Sequence, residues 1–340
     1  MIPIEPILAG DRLALSRLLS QIEADTPAGR EALNRLFPHT GKAHLVGVTG
    51  APGTGKSSLV NRLALHYRKL TKDIAAKRVA VVAVDPSSPF TGGAIMGDRV
   101  RMRDLAGDPG VFIRSMATRG SLGGLANGTA AMVQAFDAAG YEVILIETVG
   151  AGQAEVDIAR LAHTTLVVEA PGLGDDIQAI KAGIMEIADI LVINKADRPG
   201  VEITERALKG MLNLAHPTDR IISHHGKYHK IESHSKEETP AEQAWIPPIQ
   251  RTIALEGDGI PELHGLITQH QRYLDRSGLF QQKERTRLEN ELDNLLQETL
   301  VNIWRENIDL EIYYRLIEQL IKRKVSPWQA VEILLHGGDN

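Results

Sequence analysis

His44-Leu45-Val46-Gly47-Val48-Thr49-Gly50-Ala51-Pro52-Gly53-Thr54-Gly55-Lys56-Ser57-Ser58 is the stretch whose reading decides the fold. A short run of strand character enters a glycine-rich loop with the spacing G-x-x-x-x-G-K-S, and a helical pattern opens behind it from Ser58 to Leu70. Each residue type has a physical task. Glycines at Gly50, Gly53 and Gly55 let the backbone fold closely around phosphate oxygens, while Ala51, Pro52, Thr54 and Ser58 complete the loop and the helix entry. Backbone N–H groups and the helix N-terminus supply a fixed positive potential. Lys56 is placed to reach the β- and γ-phosphates, and the Ser57 hydroxyl to ligate Mg²⁺.

Outward from this loop, short apolar or β-branched runs alternate with longer helical stretches. Strands are predicted at His44–Thr49, Val79–Val84, Val111–Arg114, Val143–Glu147, Thr165–Glu169, Ile190–Asn194 and Gln250–Leu255. Most are apolar throughout, as strands covered on both faces of a mainly parallel sheet must be. The expected fold class is α/β, a three-layer P-loop NTPase domain over residues 41–272 with an N-terminal helical extension over 1–40. A C-terminal helical arm is expected over 273–340. Two short helices are predicted before the main domain, one of them opened by Thr26-Pro27, and Ser326-Pro327 opens the last helix by the same N-cap logic. Leu288, Leu292, Leu295, Leu296, Leu300 and Ile303 trace an apolar helical stripe that serves either the chain's own sheet or a second copy.

Composition narrows the function classes. Lys+Arg of 38 against Asp+Glu of 43 in 340 residues gives a formal charge of −5, which offers no basic field for a nucleic-acid backbone. With no cysteine, disulfides, thiolate metal sites and a cysteine nucleophile are excluded. The apolar runs are strand-sized and Met1–Pro6 lacks a signal pattern, so a soluble cytoplasmic protein without membrane association is expected.

Base choice is read at Asn194-Lys195-Ala196-Asp197, where a buried strand ends in N-K-x-D. The Asp197 carboxylate can accept from both the ring N–H and the exocyclic amine of guanine, an arrangement adenine lacks, so GTP and GDP are expected rather than ATP. The loop Ala254-Leu255-Glu256-Gly257-Asp258-Gly259-Ile260 resembles one whose backbone N–H contacts guanine O6, which makes Ala254 and Leu255 candidate base-binding residues. The metal-side carboxylate is expected from Glu147, at the end of Val143-Ile144-Leu145-Ile146-Glu147, with Gly150 supplying an N–H to the γ-phosphate. Asp85 and Asp98 are further candidate Mg²⁺ ligands, or else a turn residue and a cap. No glutamine directly follows Gly150. Gln153 is a candidate catalytic residue or a helix-start residue, and Arg99, Arg101, Arg103 and Arg119 are open choices for a charge-neutralising finger.

Together, Gly50–Ser58, Val84-Asp85-Pro86-Ser87-Ser88, Gly97-Asp98-Arg99, the stretch from Met116 to Leu125, Glu147–Gln153 and Asn194–Asp197 resemble the MeaB/ArgK family of methylmalonyl-CoA mutase-associated GTPases. The likeness covers most of residues 5 to 330, and the glutamate in the metal box is its most specific part. It implies a homodimer, slow GTP hydrolysis stimulated by a client, and a chaperone role in loading and protecting an adenosylcobalamin-dependent acyl-CoA mutase. Carried over by motif, Asp85, Asp98 and Glu147 serve the metal and the switches, and Lys181 falls in a client-sensing third switch. Two features depart from the pattern. Ile253-Ala254 replaces a Ser-Ala pair, and His216, His224, His225, His229 and His234 form a histidine-rich stretch, read as a polar surface insertion or a divalent-metal site. Alternative functions are metal insertion, which the lack of cysteine opposes, and a transport-linked kinase, for which no acceptor site with a base is visible.

The guanine assignment has a direct check. Asp197→Asn offers a donor where guanine needs a second acceptor, so competition titration is expected to show preference shifting from GTP toward xanthine nucleotides.

Overall fold

Strand side chains are apolar at consecutive positions because helices cover both faces of the sheet. In β1 (His44–Thr49), Leu45 joins one core while Val46 and Val48 join the other, as the two-residue period of a strand requires. The computed structural model describes residues 2–69, 76–86, 102–105, 107–118, 124–148, 154–172, 186–215, 222–224, 227–229 and 244–336. Within them a seven-stranded sheet is formed by β1, β2 (Val79–Pro86), β3 (Val111–Thr118), β4 (Val143–Thr148), β5 (Thr164–Glu169), β6 (Ile190–Asn194) and β9 (Ile249–Thr252). Its order is β3-β2-β4-β1-β5-β6-β9, and every pairing is parallel. All seven predicted strands are present. The last ends at Thr252 because residues 254–257 turn back on themselves, with Glu256 and Gly257 N–H both bonded to Ile253 O.

One face is covered by α4 (Lys56–Arg68) and α8 (Ile260–Ser277), whose Leu59, Val60, Leu63, Leu263 and Ile267 meet Val46, Val48, Val81 and Leu145. The other face carries α5 (Gly124–Ala138) and α6 (Ala154–Leu161) together with three N-terminal helices, α1 (Glu5–Leu8), α2 (Arg12–Glu23) and α3 (Pro27–Leu36). Ile7, Leu15, Leu18, Leu19 and Leu36 are fully buried there beside Phe136 and Tyr141. The N-terminal segment, expected as a helical extension, packs chiefly against α5 and shares its apolar cluster. Arg12 fastens it, donating to Pro109 O at 2.9 Å and lying over the Phe112 ring. The anticipated caps are in place, with Gly29 N–H bonded to Thr26 Oγ1 at 3.1 Å and a reciprocal Ser326–Gln329 capping box. A helix at α7 (Val201–Ala215) packs Leu208 and Leu212 on β5 and β6. The histidine-rich region contains an antiparallel hairpin, β7 (Ile222–His224) with β8 (Lys227–His229), which sequence periodicity did not reveal because each strand is three residues long. His216, His225 and His234 lie outside the described residues.

The chain divides into two compact units, Met1–Glu291 and Leu292–Asn340. In the second, the end of α9 (Leu279–Asn307) is followed by α10 (Leu310–Ile321) and α11 (Pro327–His336), which bury Leu316 and Ala330. The predicted leucine stripe remains uncovered, with Leu292 65% and Leu296 53% exposed. Among the described residues no helix is long and apolar enough to cross a membrane.

At the N-terminal edge of the sheet, opposite the glycine-rich loop, His44 Nε2 meets Thr164 Oγ1 at 2.9 Å and the same hydroxyl meets His270 Nδ1 at 2.9 Å. His270 Nε2 continues the chain to Asp189, which also receives Lys283 and the Thr165 N–H. Burial, reinforced by the nearby His163 and His270 rings, lowers the His44 pKa to about 3. A base whose folded pKa lies below its unfolded value withholds a proton that the unfolded chain takes up, so its contribution is intact above about 6.5 and is lost as pH falls toward 3. Denaturant unfolding across this window is expected to show stability falling with acidification, less steeply in His44→Gln.

Candidate functional site

The C-terminal ends of β1, β4, β6 and β9 converge, the position where open parallel sheets bind ligands. The loop after β1 needs left-handed backbone at two places where no side chain fits. Gly50 has φ +138°, and an added Cβ would lie 2.1 Å from Val168 O; Gly55 has φ +92°, and its Cβ would lie 2.5 Å from Asn194 Nδ2. Thr54 Oγ1 closes the loop on Ala51 O at 3.0 Å. The first turn of α4 then presents Lys56 and Ser57. Lys56 is buried and its Nζ donates to Gly50 O at 2.8 Å and Ala51 O at 3.0 Å, which aims the ammonium into the loop and leaves one N–H for an anion. Burial lowers its pKa, against the opposing pull of Glu147, Glu155 and Glu169. The charge is worth most to a phosphate in this partly desolvated setting.

Ser57 Oγ donates to Glu147 Oε1 at 2.6 Å. The parallel register that pairs Val48 with Glu147 makes this contact possible by carrying β4 alongside the strand that feeds the loop. A hydroxyl and a buried carboxylate side by side are hard oxygen donors, the set that suits Mg²⁺. Asp85 is the penultimate residue of β2, but its side chain lies outside the described residues, as do Asp98, Gln153, Gly150, Lys181, Arg99, Arg101, Arg119 and the Arg103 side chain. Among the described residues no group of three or more His, Asp or Glu is arranged to hold a metal.

The N-K-x-D segment joins this loop directly. Asn194, buried at the end of β6, donates Nδ2 to Thr54 O at 2.8 Å, and its Oδ1 accepts from Thr252 Oγ1 at 3.2 Å and Ala254 N–H at 3.1 Å. Lys195 adopts φ +56°, a left-handed conformation unusual for lysine, and its Nζ reaches Gly53 O. Asp197 stands exposed just beyond. The Ala254 N–H, expected from sequence to lie in the base-contacting loop, donates here to Asn194 Oδ1. Arg62, which sequence reasoning missed, donates to Ala254 O and Leu255 O. An arginine on an amphipathic helix carries no spacing signal for a partner 192 residues away.

A phosphate-binding loop, a helix N-terminus, an Mg²⁺-type donor pair and a guanine-type loop in hydrogen-bonded contact define a P-loop protein of the GTPase class. The family model "Methylmalonyl Co-A mutase-associated GTPase MeaB" matches residues 15–309, and the chain belongs to that family. A relative from Pyrococcus abyssi is 42% identical over 98% of this chain and 94% of its own length. GTPase ArgK of Escherichia coli is 33% identical over 92% of this chain and 88% of its own. The crystal structure of LAO/AO transport system kinase superposes with a TM-score of 0.66 at 26% identity, covering 97% of this chain and 94% of that one.

Replacing Lys56 with alanine removes the compact cation from the loop. Lys56→Ala is expected to abolish binding of a fluorescent GDP analogue while the thermal unfolding profile keeps its shape, because the core beneath the loop is untouched.

Proposed function

We propose that this protein binds and slowly hydrolyses GTP and that the bound nucleotide switches a homodimeric chaperone of an adenosylcobalamin-dependent methylmalonyl-CoA mutase. The observation that carries the nucleotide reading is the hydrogen-bonded seam from Asn194 to Thr54 and from Lys195 to Gly53, which ties base loop to phosphate loop. In this reading Gly50–Ser58 cradle the phosphates, and Asn194, Lys195, Asp197 and the Ala254–Leu255 loop hold guanine. Ser57 and Glu147, with Asp85 and Asp98, hold Mg²⁺, which when bound neutralises charge between the β- and γ-phosphates. Lys56 stabilises charge at the transferred phosphate, Gln153 orients water, and Lys181 senses the client.

The client reading is supported by the family's description and by a relative in Caenorhabditis elegans, "Methylmalonic aciduria type A homolog, mitochondrial", 26% identical over 97% of this chain and 80% of its own. The uncovered stripe from Leu288 to Ile303 supports the homodimer, because contiguous apolar surface on a long helix is hidden most simply by a twofold copy. We place the division of labour at residues 1–40, 41–272 and 273–340 and the site of action in the cytoplasm. A kinase reading follows from the name of the structural neighbour, but no acceptor site with a base is assembled beside Lys56 among the described residues.

Phosphate release measured with and without the mutase tests the proposal. Turnover is expected to rise when the client orders the loops, and equal rates with undiminished GDP affinity would refute the client half alone.

A further inference from the structure

Arg62 sits on α4, half-buried, about 1.7 turns beyond Lys56. Its guanidinium holds two consecutive carbonyls of the base loop, Nε donating to Ala254 O at 3.0 Å and Nη2 to Leu255 O. A planar fork with fixed donor directions orients both peptides; a lysine, with one compact ammonium, does not. The peptide plane transmits this orientation. Because C=O and N–H of a trans peptide point in opposite directions, drawing Ala254 O toward Arg62 turns the Leu255 N–H away from α4. The neighbouring N–H groups are engaged, that of Ala254 by Asn194 Oδ1 and those of Glu256 and Gly257 by Ile253 O. The Leu255 N–H has no hydrogen-bond partner among the described residues, and Leu255 is 75% exposed.

We infer that Arg62 is a positioning residue for base selection: it holds the 254–255 peptide so that the Leu255 N–H meets the 6-oxo group of a guanine seated against Asn194–Asp197. This inference rests on the guanine reading above. It also gives α4 two tasks, since the helix that presents Lys56 and Ser57 to phosphate then sets the loop that reads the base.

Full-length wild type, Arg62→Met and Arg62→Lys are titrated with GDP, 6-thio-GDP and ADP by calorimetry. The thio analogue keeps the ring N–H and the 2-amino group and weakens only the acceptor at position 6. Arg62→Met is expected to lose about tenfold in GDP affinity but less than about threefold in 6-thio-GDP affinity, the worth of one well-aimed hydrogen bond. Arg62→Lys, which preserves charge and stem packing, is expected to fall between and guards against a folding defect in the methionine variant. Equal losses on both guanine nucleotides, or no loss on GDP, overturn the inference while leaving the guanine reading intact. Wild type that takes ADP as tightly as GDP overturns both.

Discussion

The interaction on which the binding end of the molecule depends is the set of hydrogen bonds made by Asn194. One buried amide donates to the Thr54 carbonyl of the phosphate loop and accepts from Thr252 and Ala254 at the end of the neighbouring strand. An amide is suited to this because it carries donors and an acceptor on one small planar group. Each bond contributes on the order of 1 kcal/mol, but leaving the partners unpaired in a buried place costs more than the bonds contribute. Gly55 follows as a necessity, since a Cβ there would displace the amide.

The surrounding architecture holds that joint still. Two apolar cores sandwich a parallel sheet whose strands all end on the same side, so loops distant in sequence arrive together without a dedicated scaffold. The N-terminal helices belong to this arrangement. Their leucines share one apolar cluster with α5 and the sheet, packing chiefly against α5, and Arg12 and the Arg114–Glu23 ion pair register them against β3. The opposite edge of the sheet has a different chemistry, in which histidines, Asp189, Lys283 and Glu284 satisfy one another. Burial alone would raise the Glu284 pKa, yet hydrogen bonds from His163 and Arg287 hold it at about 2. That network joins the start of α9 to His163, which precedes β5 and accepts from the Leu45 N–H of β1, while Phe280 lies against the His163 ring.

Placing chemistry at one end and a polar clasp at the other separates two demands. The nucleotide end keeps donors and charges unsatisfied enough to take an anion, and the clasp end satisfies its groups internally. Lys56 illustrates the first, with two carbonyl partners and a pKa lowered by burial. Asp189 illustrates the second: burial works to raise its pKa, and His270, Lys283 and the Thr165 N–H outweigh it.

Fold class, the seven sheet strands, the phosphate loop and the N-K-x-D segment were legible in the sequence, because each is a local pattern enforced by local physics: strand burial, left-handed glycine, helix capping. Strand ends were legible to within a few residues, and the short β7–β8 hairpin was not, since three residues carry no period. What only the tertiary structure decided are relations between distant segments. Ser57 meets Glu147 through strand register, the N-terminal helices enter the core because the sheet has a face to cover, and Arg62 reaches the 254–255 loop because α4 passes beside it. Such contacts leave no spacing in the chain: a side chain's partner is set by where the packed elements put it, and hydrophobic periodicity records only that it faces out or in.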